Sequence, residues 1–189
     1  MKLFKYALAG ALLLAGASSS AGAQAKEYLT IQLKDGPVVI ELRPDVAPKH
    51  VERIKALAEK GEYDNVAFHR VINGFMAQTG DVQYGDMENG FNPSAAGTGG
   101  SSEPDLPAEF SDVPFQRGTV GMARAQNPDS ANSQFFIMFG PGDFLNGQYT
   151  VVGQVVEGME NVDKIKRGDE ANNGSVTDPD RMIKVTVGK

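Results

Sequence analysis

The 189-residue chain has no cysteine, no tryptophan and only two histidines, His50 and His69. Without a thiol there is neither a disulfide framework nor a thiolate nucleophile, and two histidines without cysteine exclude a histidine–cysteine zinc site. No G-x-S-x-G elbow is present, so the chain lacks the signature of a serine hydrolase. Gly97-Thr98-Gly99-Gly100 is not followed by the lysine of a phosphate-binding loop. Positive charge is also scarce: 18 Lys and Arg against 24 Asp and Glu leave a formal charge of −6. That balance argues against nucleic acid, whose phosphates need clustered basic side chains. The apolar run Ala7–Ala17 is shorter than the roughly 20 residues that span a bilayer.

That short run does have a meaning. Lys2 and Lys5 precede it and small residues follow it, the three-part pattern of a secretory signal peptide. Ala21-Gly22-Ala23 and Ala23-Gln24-Ala25 both fit a small-x-small cleavage site, so residues 1–25 are expected to be removed after Ala23 or Ala25. A single domain, 26–189, remains. Loss of the two lysines takes its charge to −8, since 1–25 carries no acid. An exported chain without cysteine must rely on its core, and the absent disulfides favour a periplasm over the extracellular medium.

Alternation dominates the rest. Leu29, Ile31 and Leu33, the turn Asp35-Gly36, then Val38, Ile40 and Leu42 predict a β-hairpin over 27–42. Pro48, the spacing of Val51, Ile54, Leu57 and Ala58, and Gly61 predict one amphipathic helix. Further strands are expected at 66–72, 75–79, 118–123, 133–139 and 149–156, with a last alternation through Ile183, Val185 and Val187. Met159, Val162 and Ile165 suggest a second helix. Eight strands and two helices in one domain predict a mainly β fold, a closed eight-stranded antiparallel barrel capped by two α-helices. Bulky alternating residues imply a filled interior, against a lipid- or sugar-carrying barrel. Between Asp81 and Gly118 the pattern breaks into a long Gly-, Pro- and acid-rich loop of the kind that is functional or disordered. Residues 169–178, DEANNGSVTD, only faintly resemble a calcium loop and read as a solvated turn.

One residue is out of place. In VAFHRVINGFMAQTGD, from 66, strand alternation puts Arg70 on one face with Phe68 and Ile72, with Phe75, Met76 and Gln78 just behind. His69 then faces the opposite way, in a packed structural role, while His50 reads as a surface helix residue. Arg70 could form an ion pair with Asp64 or Glu109, or it could serve a ligand. Met122-Ala123-Arg124-Ala125 ends another strand, Gln134 and Phe136 share a third, and Phe144, Leu145 and Tyr149 flank a tight turn.

Taken together, FHRVINGFMAQTGD, GTGG, MARA, NSQFFI and DFLNGQYTVVG resemble the cyclophilins, barrel-type peptidyl-prolyl isomerases, in order and spacing across the whole mature chain. The resemblance implies isomerisation of Xaa-Pro bonds in exported polypeptide clients, without metal or cofactor. A monomer is expected, one that binds no nucleic acid and, after cleavage, no membrane. By resemblance Arg70, Gln78 and Phe75 carry catalysis. Met76, Phe136 and Leu145 complete the seat for proline; Ala123, Arg124 and Ala125 lie along the preceding residue; Gln134 and Gly97 border an adjoining subsite. Phe144 stands where cyclosporin-sensitive members often have tryptophan, and Tyr149 where histidine is common. A cyclosporin-type ligand is therefore expected to bind weakly. The 81–96 insertion has no counterpart in the shortest members. A module that holds clients in the same groove without turnover is the second reading.

Overall fold

The computed structural model describes residues 25–188. The segment read as a signal peptide therefore lies outside the described residues, apart from Ala25. Strands β1 (Tyr28–Leu33) and β2 (Gly36–Leu42) form the expected hairpin, followed by helix α1 (Pro48–Glu59). β3 (Val66–Ala67), β4 (Arg70–Ile72) and β5 (Met76–Thr79) come next, then the long loop, β6 (Thr119–Met122) and β7 (Phe135–Met138). β8 (Val151–Glu157), the short α2 (Met159–Val162), β9 (Arg181–Met182) and β10 (Lys184–Gly188) complete the chain.

The eight-stranded antiparallel sheet runs β10-β1-β2-β8-β6-β7-β5-β4. The expected closed barrel is not what forms: no ladder joins β10 to β4, and the curled sheet is an open half-barrel. The reason is local. β4 has three residues, and its outer edge is taken by a loop, with Val71 N donating to Gly174 O and Gly168 N to Val71 O, both at 2.8 Å. On the other edge, Asp64 Oδ1 accepts from Val185 N at 2.9 Å. A separate two-stranded ribbon β3–β9 precedes β4 and β10 along the chain, two residues before the one and one residue before the other.

The concave side is filled, as the alternation predicted. Leu29, Ile31, Val38, Ile40, Phe135 and Ile137 are buried there, with Val51, Ile54 and Leu57 of α1 packed against them. Two local expectations fail, and a third is met only in part. The strand predicted over 66–72 breaks at Phe68-His69, so Phe68 joins this main core while Arg70 and Ile72 turn to a separate cluster around Phe136. The short second helix forms where expected but has one turn, and Ile165 beyond it is buried all the same.

The second failure is His50, fully buried rather than on the surface. Its Nδ1 lies 2.7 Å from Glu109 Oε2, and the same carboxylate accepts from the Lys49 and His50 backbone N–H groups. Ala47 offers α1 no capping side chain. A loop carboxylate thus satisfies the free donors of the first turn, where the helix dipole favours negative charge.

Candidate active site

Register places the central row. Arg70 on β4 is opposite Gln78 on β5, and Gln78 is opposite Phe136 on β7. Directly paired residues share a face of the sheet, so a cation, an amide and an aromatic ring stand side by side. Met76, Phe136 and Leu145 are nearly buried and form an apolar floor. Phe75, Phe144 and Tyr149 rise around it: Phe144 lies 5.4 Å from Phe75, and Tyr149 meets Phe136 edge-on at 5.9 Å. The result is an open cavity of about 400 Å³, lined also by Ala123, Arg124 and Gln148.

Arg70 forms no ion pair among the described residues. Asp64 instead binds Lys184 Nζ at 2.6 Å and Glu109 is held by His50, so the ion-pair alternative for Arg70 falls away. Its partners are all neutral. Nη1 donates to Gln78 Oε1 at 3.2 Å, Nε to Asn173 O at 3.0 Å and Nη2 to Asn173 Oδ1 at 3.0 Å. A guanidinium has five N–H donors, so one remains on each terminal nitrogen. Partial burial lowers the Arg70 pKa from its ordinary value, yet arginine stays cationic in proteins. No carboxylate among the described residues compensates the charge beside the apolar floor.

A second, polar cavity of about 410 Å³ adjoins the first across Gln78, Ala123 and Arg124. Gly97, Ala125 and Gln134 line it with the 98–101 loop, Asn132 and Asp105. The loop is organised by Asp81, fully buried, whose carboxylate accepts from the backbone N–H groups of Gly97, Gly99, Gln83 and Tyr84 at 2.7–3.1 Å. A relay then runs back to the arginine: Gln134 Nε2 donates to Gly99 O at 2.8 Å, and Gln78 Nε2 to Gln134 Oε1 at 3.0 Å. Arg124, by contrast, is absorbed by the rim. It lies 4.4 Å over the Tyr149 ring and donates to the Gln148, Ala125 and Gln126 carbonyls.

This arrangement offers an apolar seat, a free cation and exposed backbone, with no group of three or more His, Asp or Glu placed for a metal among the described residues. The family model for cyclophilin type peptidyl-prolyl cis-trans isomerase/CLD matches residues 28–187. The chain belongs to the cyclophilin family. A probable peptidyl-prolyl cis-trans isomerase of Brucella suis is 62% identical over 99% of this chain and 97% of its own length. Peptidyl-prolyl cis-trans isomerase B of Escherichia coli is 39% identical over 73% of this chain and 83% of its own. A cyclophilin type isomerase of Cryptosporidium parvum, solved in the presence of the dipeptide Ala-Pro, superimposes with a TM-score of 0.72 at 26% identity. It covers 86% of this chain and 99% of its own. This cyclophilin is accordingly a peptidyl-prolyl cis-trans isomerase.

All thirteen residues singled out from the sequence line one cavity or the other. Three neighbours were missed. Gln148 and Asp81 lie within the quoted blocks but carry no periodic signal. Asn173 lies in the segment read as a solvated turn, 103 positions from Arg70. His69 is buried as expected, against Gly97, where a Cβ would lie 2.9 Å from the imidazole ring. Neither ring nitrogen has a hydrogen-bond partner among the described residues, and burial holds its pKa below the ordinary value.

Proposed function

We propose that this cyclophilin catalyses Xaa-Pro isomerisation in polypeptides exported with it, holding the proline ring in the apolar cavity. The residue before proline runs along Ala123–Ala125, towards the polar cavity. Rotation must overcome about 18–20 kcal/mol of lost amide resonance, but no bond is broken, so no nucleophile is needed. Raising the slow uncatalysed exchange, tens to hundreds of seconds, into the usual enzyme range takes about 3–7 kcal/mol. Preorganised donors in a water-poor site can supply that. The observation that carries the reading is Arg70, with two free N–H groups beside an apolar floor and no carboxylate to neutralise it. One N–H holds the proline carbonyl, and the cation favours the pyramidal proline nitrogen of the twisted state.

The Ala-Pro dipeptide used with the Cryptosporidium parvum relative is the minimal ligand for such a seat. Export rests on the N-terminal pattern of Lys2, Lys5 and Ala7–Ala17, and a periplasm is the compartment proposed. The test is NMR exchange on short Ala-Pro and Phe-Pro peptides with catalytic amounts of protein. Cis and trans resonances that exchange no faster than in buffer would overturn the assignment.

A further inference from the structure

We infer that Asn173 is a positioning residue for the isomerase reaction, fixing the Arg70 guanidinium through two of its three intramolecular hydrogen bonds. The inference rests on the assignment of Arg70 as the catalytic cation. Asn173 O accepts from Nε and Asn173 Oδ1 from Nη2, each at 3.0 Å. These two acceptors, from one residue, grip one edge of the guanidinium plane, and Gln78 Oε1 holds Nη1 on the other side. The two N–H groups that remain are thereby aimed rather than left to the many rotamers of a long side chain.

The backbone is arranged for this grip. Asn173 sits in the left-handed region at φ 52°, ψ 31°, directly after a 3₁₀ turn over Glu170–Asn172. Among residues with a Cβ, asparagine is one of the few that adopts this conformation readily, and it brings a side-chain acceptor with it. Gly174 follows at φ 78°, where a Cβ would lie 2.5 Å from Ile72 Cγ1. The segment is stapled to the chain on both sides of the arginine: Val176 N donates to His69 O, Val71 N to Gly174 O, and Gly168 N to Val71 O. Asp169 O accepts from Gly174 N at 2.8 Å and closes the loop on itself. The segment that occupies the outer edge of β4, and so keeps the barrel open, is the one that delivers Asn173 to the arginine.

The test is a double-mutant cycle with a rescue variant: N173G, N173D, R70A and N173G/R70A. Glycine keeps the left-handed backbone and the carbonyl but removes Oδ1; aspartate restores an acceptor in the same place. In N173G, kcat falls about 10-fold, short of the roughly 100-fold that a 1 Å misplacement can cost. KM for an Ala-Pro peptide and the thermal midpoint hold, and the Arg70 Nε–H resonance broadens as the side chain gains freedom. N173D restores the grip but pairs the cation with a carboxylate, so the Arg70 Nε–H resonance sharpens again while kcat stays below that of the unmodified protein. In the R70A background N173G has no further effect, because residues that act as a unit are not additive. An unchanged kcat in N173G, a loss that adds to that of R70A, or a loss that follows the melting temperature would overturn the inference and leave the Arg70 assignment standing. Full turnover in R70A would instead overturn that assignment, and this inference with it.

Discussion

Gln78 donates from Nε2 to Oε1 of Gln134 at 3.0 Å, and this bond links the two halves of the site. On one side Gln78 Oε1 holds Arg70; on the other Gln134 Nε2 holds the carbonyl of Gly99 in the polar cavity's wall. Each glutamine therefore uses its amide oxygen and its amide nitrogen in opposite directions. Seat and subsite share one hydrogen-bonded frame.

Arg70→Ala should cut turnover by roughly 10²–10³, the range for losing one preorganised donor. Peptide affinity should fall much less, since only interactions stronger in the transition state lower the barrier. Arg70→Lys should rescue poorly, because an ammonium cannot reproduce the planar fork. With no ion pair to lose, the thermal midpoint should hold. Exchange rate, peptide affinity and melting on the same two variants check this; a large drop in melting with full activity per folded molecule would contradict it.

Gln134→Ala removes both the Gly99 contact and the support for Gln78. A net hydrogen bond is worth about 0.5–1.5 kcal/mol, so KM for peptides extended before proline should rise about 2–10-fold. A blocked Ala-Pro dipeptide, which does not reach the polar cavity, should show little change in KM. Equal effects on both substrates would mean that the cavity binds no part of the client.

Phe144 is two-thirds exposed, at 66%, and its ring lies against that of Phe75. Phe144→Trp adds an indole N–H where an inhibitor acceptor can use it. Cyclosporin should then bind about 2–10-fold more tightly, one neutral hydrogen bond's worth, by calorimetric titration. Unchanged affinity would place the limiting contact elsewhere.

Stability should decline in two steps on acidification. Burial lowers the folded-state pKa of His69 below its ordinary 6.5, so the unfolded chain binds a proton first and stability falls as pH drops below that value. Glu109 is raised by partial burial, but the hydrogen bonds from His50 and Lys49 outweigh this and lower it below 4.5. Its contribution is present above 4.5 and is lost as pH falls through the lower folded value. Thermal midpoints across pH should show both limbs, with His69→Asn flattening the upper and Glu109→Gln the lower. Identical profiles for the variants and the unmodified protein would refute the assignment.

The exported form should begin at Gln24 or Lys26. Intact-mass measurement on protein recovered from a periplasmic extract checks this, and a mass that retains residues 1–20 would rule out cleavage.

Strand alternation and helix spacing were enough to locate the hairpin and α1, because burial of one face and local turn chemistry are written in consecutive residues; the site residues came from the resemblance of five short blocks, and the structure brings them to two adjoining cavities. The oddity of a cation among apolar groups was legible for the same reason, even though the period-two argument placed Phe68 on the wrong side of the break at 68–69. What neighbouring residues cannot specify is which distant segment takes a free edge or an open charge. Closure of the barrel depended on whether β10 or the 168–176 loop would occupy the three-residue β4, and backbone hydrogen bonds across about a hundred positions decided for the loop. His50 was buried by a carboxylate 59 residues away, and Arg70 was held by Asn173 from 103 residues away. Sequence determined the elements and the chemistry on offer; only the tertiary structure decided the partners, since hydrogen-bond acceptors and edges are satisfied by whatever the fold brings within 3 Å.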